Sequence, residues 1–256
     1  MPTEAVTALP ARPVAVAALY DVHGNPAALE AVLDEVGDAL LVFGGDLAAG
    51  PVPGETLDRI MELDALVVRG NADRELLGEN TQGLLDEWVR AQLDDRHREY
   101  VAGLPETVEL EVERVGRVLF CHGSPRSDEE MILRTTPDEW LRDMLQGVEA
   151  DVVVCGHTHM QFDRIVDGIR VVNAGSVGLA YGGPGAHWLS LGPDVQHRRT
   201  RYDNEAFADQ VAASDWPKAE RFAEENIRNH PSEVEALEFF EKIAGEQWAE
   251  RYPGSQ

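Results

Sequence analysis

The chain has 256 residues, of which 43% are hydrophobic, and this suffices for one large domain or two small ones with an ordinary core. No apolar run approaches the ~20 residues that a membrane span needs, and residues 1–13 lack the basic start and apolar stretch of a signal peptide. We therefore expect a cytoplasmic protein. The net charge of −25, from 22 basic and 47 acidic residues, disfavours binding to nucleic acid or anionic lipid, so we expect neither as a partner.

The first half of the chain alternates short apolar runs with amphipathic stretches, which predicts βαβ units and a sheet covered by helices. Asn25 and Pro26 are typical of a helix N-cap followed by proline in the first turn. The predicted elements are, in chain order, a strand over 14–20, a helix over 26–36, a strand over 39–43, a helix over 54–63, a strand over 65–69 and a charged helix over 84–100.

The second half first favours strands and then helices. Val115-Gly116 and Asp167-Gly168 are hairpin signals between alternating runs. The predicted strands cover 107–112, 117–121, 152–155, 161–166, 169–172, 186–191 and 195–202, and the predicted helices cover 204–214, 217–229 and 232–250. We therefore expect an α/β domain over 14–202 and a C-terminal helical extension over 203–256 packed on it, because ~50 residues would be marginally stable alone.

Asp, His and Asn residues stand directly after predicted strands. They are Asp21 and His23 after the first strand, Asp46 after the second, Asn71 after the third, His122 after the strand over 117–121, and His157 and His159 after the strand over 152–155. Ligands of an open α/β sheet collect at the carboxyl ends of its strands, so we expect all seven side chains to converge on one edge. Glycines beside them relax the backbone where it turns sharply.

The residue types predict metal binding. Mixed carboxylate and imidazole ligands suit Mn²⁺, Fe, Zn²⁺ or Ni²⁺ better than Ca²⁺, and the absence of thiolate ligands disfavours a structural zinc site. Cys121 and Cys155 are interpreted as buried strand residues, with a metal or redox role as the alternative. A carboxylate can bridge two ions, and Asp46 stands in the middle of the set. Two ions ~3.5–4 Å apart can activate a shared hydroxide and clamp a phosphoryl group.

The chain resembles the calcineurin-like metallophosphoesterase superfamily over about residues 14–202. The resemblance rests on Asp21-Val22-His23-Gly24, Gly45-Asp46, Gly70-Asn71, His122-Gly123, Gly156-His157-Thr158-His159 and Asn173-Ala174-Gly175-Ser176. It implies a four-layer α/β/β/α sandwich with a dinuclear site at its edge. By this likeness one metal would take Asp21, His23, Asp46 and His159. The other would take Asp46, Asn71, His122 and His157, with Mn²⁺ the favoured ion.

One position departs from the pattern of many members. Ala72 stands where they carry a histidine that protonates the leaving group or steadies the transition state, a contribution of ~10²–10⁴-fold. Chains without that histidine resemble the bacterial and archaeal small phosphodiesterase branch, which the stretches 70–75 and 121–126 also resemble. That branch tends to prefer diesters or acidic leaving groups, and some relatives with a similar helical tail hydrolyse dinucleoside polyphosphates.

The leading hypothesis is hydrolysis of phosphodiester or phosphoanhydride bonds by a metal-bridging hydroxide, with Asp46 and Asn71 as catalytic residues. The substrate would be a small phosphorylated molecule, with a nucleotide among the candidates, and a homo-oligomer stays open. Arg74 or Arg126 could bind outer phosphate oxygens, although a surface salt bridge explains either equally well. The alternatives are a dinucleoside polyphosphate hydrolase, a phosphomonoesterase, or a non-catalytic scaffold, which predicts eroded ligands.

Overall fold

Two five-stranded sheets form the centre of the computed structural model, which describes residues 13–78 and 84–253. The strands are β1 (Val16–Leu19), β2 (Leu40–Phe43), β3 (Ala65–Val67), β4 (Thr107–Val112), β5 (Gly116–Cys121), β6 (Val152–Cys155), β7 (Phe162–Val166), β8 (Ile169–Asn173), β9 (Ala186–Leu191) and β10 (Val195–Thr200). The first sheet has the order β10-β9-β1-β2-β3, and the second has the order β4-β5-β6-β8-β7. Both sheets are mixed, with β1, β2 and β3 parallel in one and β5, β6 and β8 parallel in the other.

Helices cover the outer faces of the sheets. They are α1 (Pro26–Val36), α2 (Pro53–Met61), α3 (Asn71–Leu77), α4 (Leu84–Gln92), α5 (Asp95–Ala102), α6 (Asp138–Met144), α7 (Asn204–Ala212), α8 (Ala219–Phe222), which continues as a π-helical segment (Ala223–Arg228), and α9 (Glu233–Arg251). As predicted, Asn25 caps α1, because its side chain accepts a hydrogen bond from the Ala28 amide at 3.0 Å. Within the described residues, no helix combines the length and apolarity that crossing a bilayer requires.

Three buried hydrophobic clusters lie between the four layers of helices and sheets. Leu19 and Phe43 of the first sheet pack against Leu29 of α1 on the outer side. Alternate residues of the same strands, such as Ala18 and Val42, pack between the two sheets. The outer face of the second sheet packs against α6. The predicted α/β/β/α sandwich is therefore confirmed.

Several predicted boundaries were wrong. The predicted helix over 84–100 is two helices, α4 and α5, because the Asp94 carboxylate accepts a hydrogen bond from the His97 amide and starts a new helix. The helices α3 and α6 were not predicted, since each has only seven residues and too few turns for a clear periodicity. The prediction that residues 1–13 are not a signal peptide concerns a segment of which residues 1–12 lie outside the described part of the chain.

The helices after residue 203 share cores with the rest of the chain. Phe207, Val211 and Trp216 join the cluster that contains α1. Ala236 and Ala244 of α9 join Met131, Leu133 and Met160 in a fourth cluster. These residues therefore pack on the sandwich, and the division of the chain into a domain over 14–202 and an extension over 203–256 stays a prediction.

The candidate metal centre

The predicted ligands follow the carboxyl ends of β1, β2, β3, β5 and β6, six of them in loops and Asn71 as the first residue of α3. Five of the seven adopt left-handed backbone conformations, which cost non-glycine residues about 1–3 kcal/mol each and cluster at functional sites. They are Asp21 (φ 53°), His23 (φ 48°), Asp46 (φ 53°), His157 (φ 65°) and His159 (φ 57°). Such strain persists only where the surrounding structure enforces it. The backbone of these loops therefore fixes the orientation of the five side chains.

The first group of side chains consists of Asp21, His23 and His159. The Nε2 atoms of the two histidines face each other at 3.0 Å, and His159 Nε2 lies 3.3 Å from Asp21 Oδ1. All three side chains are almost fully buried, and one ligand atom from each lies within 4.8 Å of the others. This spacing suits three ligands around one ion.

The second group consists of Asp46, His122 and His157, with Asn71 beside it. One ligand atom from each of the first three lies within 4.8 Å of the others. His122 Nε2 lies 2.9 Å from Asn71 Oδ1 and 3.4 Å from Asp46 Oδ2. The same Oδ2 lies 3.8 Å from His23 Nε2 of the first group. The structure thus brings all seven predicted ligands together, with the Asp46 carboxylate between the two groups.

Backbone carbonyls orient three of the histidines. The Nδ1 atoms of His23, His159 and His122 lie 2.9, 2.8 and 2.8 Å from the carbonyl oxygens of Ala49, Leu179 and Gly44. Each Nδ1–H is assigned as the donor to its carbonyl, which directs Nε2 at the site. This arrangement is typical of imidazole ligands to a metal.

Asp73 braces the two loops of the second group, a role that sequence reasoning missed. Its carboxylate is fully buried and accepts three backbone hydrogen bonds, from Asp46 (2.7 Å), Leu47 (2.9 Å) and Gly70 (3.0 Å). Burial, helped by the negative charge of Asp46, raises the pKa of Asp73 to about 6. Its position two residues after Asn71 was the available signal.

Asn25 and Asn173 brace the loops of the candidate metal centre. The Asn25 amide donates to the Gly178 carbonyl at 3.2 Å, and the Asn173 amide donates to the Gly156 carbonyl at 2.7 Å.

A second residue that sequence reasoning missed, after Asp73, is Tyr181. Its ring stacks on the His159 ring with centroids 5.5 Å apart.

Two buried polar atoms at the centre of the site have no hydrogen-bond partner among the described residues. They are Asp21 Oδ1 and His157 Nε2, one from each group. An unpaired buried acceptor of this kind is costly, and a cation would satisfy both atoms. The donor set consists of carboxylate, amide and imidazole atoms, because Cys121 and Cys155 are buried in β5 and β6 as predicted. The residues therefore fit divalent ions.

The charges of the site are strongly interdependent. Burial and the nearby charge of His122 lower the pKa of His157 to about 4, and burial lowers that of His23. Burial also acts against the charged form of His122, but the negative charge of Asp46 outweighs it and raises the pKa of His122 to about 10. A metal ion bound through His122 Nε2 would have to displace this proton, so metal binding would release a proton here.

The two predicted substrate-binding arginines lie in salt bridges. Arg74 Nε donates to Asp128 at 2.7 Å, and Arg126 Nη2 donates to Glu130 at 2.6 Å. Both anchor the loop that follows His122. A contact of either guanidinium with substrate stays a prediction.

A sequence model described as the calcineurin-like phosphoesterase superfamily domain matches residues 14–191. The chain belongs to this superfamily. It is therefore a member of a family of metal-dependent phosphoesterases, which are hydrolases, and its two side-chain groups are candidate sites for the divalent ions that the family binds.

Solved structures support the same fold. A metallophosphoesterase from Sphaerobacter thermophilus is 23% identical, with a TM-score of 0.70, and the match covers 82% of this chain and 98% of that one. A hypothetical protein from Pyrococcus horikoshii is 19% identical, with a TM-score of 0.70, and the match covers 82% and 97%. A protein proposed to be a diadenosine tetraphosphatase is 20% identical, with a TM-score of 0.53, and the match covers 75% and 96%. At these identities the similarity shows the fold alone.

Proposed function

We propose that the chain is a phosphoesterase that holds two divalent metal ions and hydrolyses phosphodiester or phosphoanhydride bonds. The main support for this proposal is the position of Asp46, whose Oδ2 lies 3.4 Å from His122 Nε2 and 3.8 Å from His23 Nε2. One carboxylate between two ligand groups suits a bridging role. Of the ions that these ligands accept, we favour Mn²⁺ over Fe, Zn²⁺ and Ni²⁺.

Two ions bound at these groups would supply a nucleophile from water at neutral pH and a positive clamp for the phosphoryl oxygens. The chain holds the bridging carboxylate in place through the Ala72 amide, which donates to Asp46 Oδ1 at 2.9 Å. His122 releases the proton at Nε2 and keeps Nδ1–H on the Gly44 carbonyl. Asn71, beside His122, is proposed to hold its ion through Oδ1 and to donate from Nδ2 to a phosphoryl oxygen.

The preference for diesters and anhydrides rests on Ala72. Its methyl group stands at the start of α3, beside the site, and cannot protonate a departing alkoxide. Aryl alcohols and phosphates leave without that help because they are weaker bases. A direct contact of Arg74 or Arg126 with outer phosphate oxygens stays a secondary proposal, since substrate would compete with the carboxylates of Asp128 and Glu130.

A second candidate is a dinucleoside polyphosphate hydrolase. The structural neighbour proposed to be a diadenosine tetraphosphatase has the same fold, and a phosphate leaving group fits a site without a histidine at position 72. A phosphomonoesterase is less favoured, because Ala72 cannot protonate a departing alkoxide. A scaffold is the least favoured proposal, because seven intact ligands would serve no purpose in it. A cytoplasmic location and a homo-oligomer stay predictions.

The test is a substrate panel with Mn²⁺ present, which compares a bis-aryl diester, an aryl monoester, an alkyl monoester and a dinucleoside tetraphosphate. We expect turnover of the diester, the anhydride or both, and far slower turnover of the alkyl monoester. The matched pair of variants is Asp46→Asn, which should abolish turnover of every substrate, and Asp34→Asn, an exposed carboxylate on α1, which should not. Fast hydrolysis of the alkyl monoester would contradict the diester preference, and full activity of Asp46→Asn would contradict the dinuclear proposal.

A further inference from the structure

A cavity of about 460 Å³ opens where β10 ends and the chain turns into α7. This volume lies within the range of ligand pockets in proteins. We call it the basic pocket, and its lining residues are Pro184, Gly185, Arg199, Arg201, Tyr202 and Asn204. It carries two guanidinium groups, a phenol and an amide, and no carboxylate is among these residues.

Neither arginine of the basic pocket forms an ion pair with a described carboxylate, although the chain has a net charge of −25. Most described arginines lie within 4 Å of a carboxylate, as Arg228 does with Glu205. Arg199 instead donates to the Pro184 carbonyl from Nε, at 2.6 Å, and from Nη2, and Arg201 makes no hydrogen bond or ion pair with any described residue. The nearby Asp203 carboxylate caps α7, where it accepts a hydrogen bond from the Ala206 amide.

The positive charge of Arg199 lowers the pKa of two neighbouring histidines. Burial, and after it the charge of Arg199, lowers the pKa of His187 to about 4. Burial and Arg199, in the same order, lower the pKa of His230. Arg199 and Arg201 are two residues apart on an extended segment, so their side chains leave the same face of the chain. Paired guanidinium groups with free donors match the oxygens of a phosphate group.

The basic pocket lies at the same edge of the first sheet as the metal centre. The strand pairs Ala18↔Leu189 and Thr200↔Ala186 bring the end of β10 to the edge where β1 ends and Asp21 begins. β9 separates β1 from β10, so two strand spacings, or about 10 Å, lie between the two loops along the edge.

Direct contacts connect the basic pocket with the loops of the metal centre. The Asn25 amide, two residues after His23, donates to the Tyr202 hydroxyl at 3.2 Å. The glycine-rich segment 178–185 connects the two sites as well. It stacks Tyr181 on His159, while its Gly183 lies against the Arg199 guanidinium. The basic pocket therefore lies beside the loops of the metal centre, at the same edge of the first sheet.

We propose that the basic pocket binds a second anionic group of the substrate whose scissile phosphorus lies at the metal centre. This inference rests on the proposed function and narrows it to substrates with at least two phosphate groups, of which nucleoside polyphosphates are the chemical type. Arg199 and Arg201 hold the distal phosphate, and the Tyr202 hydroxyl and the Asn204 amide offer further hydrogen bonds. A diester with a single charge reaches only the metal centre.

The test compares Arg199→Gln/Arg201→Gln with Arg117→Gln/Arg142→Gln. The second variant removes the same charge from exposed residues that pair with carboxylates away from this edge. Values of kcat/KM are measured with Mn²⁺ for a dinucleoside tetraphosphate and for a bis-aryl diester. We divide kcat/KM for the dinucleoside tetraphosphate by kcat/KM for the diester. This ratio should fall by about tenfold or more in the first variant, because KM for the tetraphosphate rises, and it should stay unchanged in the second. Arg201→Gln alone removes a guanidinium that makes no hydrogen bond or ion pair with any described residue, and it should give an intermediate fall.

The outcomes are distinguishable. A ratio that does not move, or a native protein that hydrolyses only the diester, overturns the inference and leaves the proposed function standing. No turnover of either substrate by the native protein removes the proposed function itself, and the inference with it.

Discussion

His187 should make the protein less stable in mild acid. The side chain is 6% exposed on β9, and neither ring nitrogen has a hydrogen-bond partner among the described residues. Burial, followed by the charges of Arg199, His230 and His197, lowers its pKa to about 4 from the ordinary 6.5. The neutral ring is therefore the form that the folded protein accommodates.

The magnitude follows from the two pKa values. Above pH 6.5 the ring is neutral in both states, and stability is unaffected. Between pH 6.5 and about 4 the unfolded chain binds the proton first, so the free energy of unfolding falls with pH. Each pKa unit corresponds to about 1.4 kcal/mol, and the whole window therefore removes at most about 3 kcal/mol. This is a large part of the ~5–15 kcal/mol that stabilises a typical domain.

Urea unfolding from pH 4 to 7.5, with a chelator present, measures this loss. His187→Gln removes the titrating ring and keeps a polar side chain, so its free energy of unfolding should depend less steeply on pH across the window. Both proteins keep the remaining histidines, and their difference isolates position 187. Parallel pH profiles for the native protein and the variant would refute the reasoning.

The remaining predictions concern the metal centre. Ala72→His restores a proton donor and should raise kcat for alkyl monoesters, up to ~10²-fold, relative to the bis-aryl diester; an unchanged ratio would show that the position has no part in leaving-group departure. Asp73→Ala leaves three buried amides without an acceptor and should lower the free energy of unfolding by about 3 kcal/mol or more, with weaker Mn²⁺ binding by titration calorimetry. Native stability and Mn²⁺ affinity in that variant would contradict the bracing role of Asp73.

The convergence of the ligands could be predicted because it depends on local signals. Asp21, Asp46 and His122 each follow an apolar run, and the carboxyl ends of parallel strands meet at one edge. Their spacing along the chain therefore contains the essential geometry. The left-handed conformations of the predicted ligands were not anticipated, since a positive φ is uncommon in any non-glycine residue, although Asp and His adopt it more often than most.

Contacts between distant segments account for what sequence reasoning missed. Asp73 matters because it folds back on the amide of Asp46, 27 residues earlier. Tyr181 reaches the site only because the segment after β8 returns to His159. The sequence identified Arg74 as a candidate for substrate binding, but its neighbours Asp128 and Glu129 lie more than 50 residues away along the chain.

The number of tightly bound metal ions tests the central claim most directly. The native protein, reconstituted with Mn²⁺ and freed of excess ion, should contain two ions per chain by elemental analysis, and Asp46→Asn should lose both. Native protein with one ion or none, or Asp46→Asn with two, would contradict an Asp46 carboxylate shared between two ions.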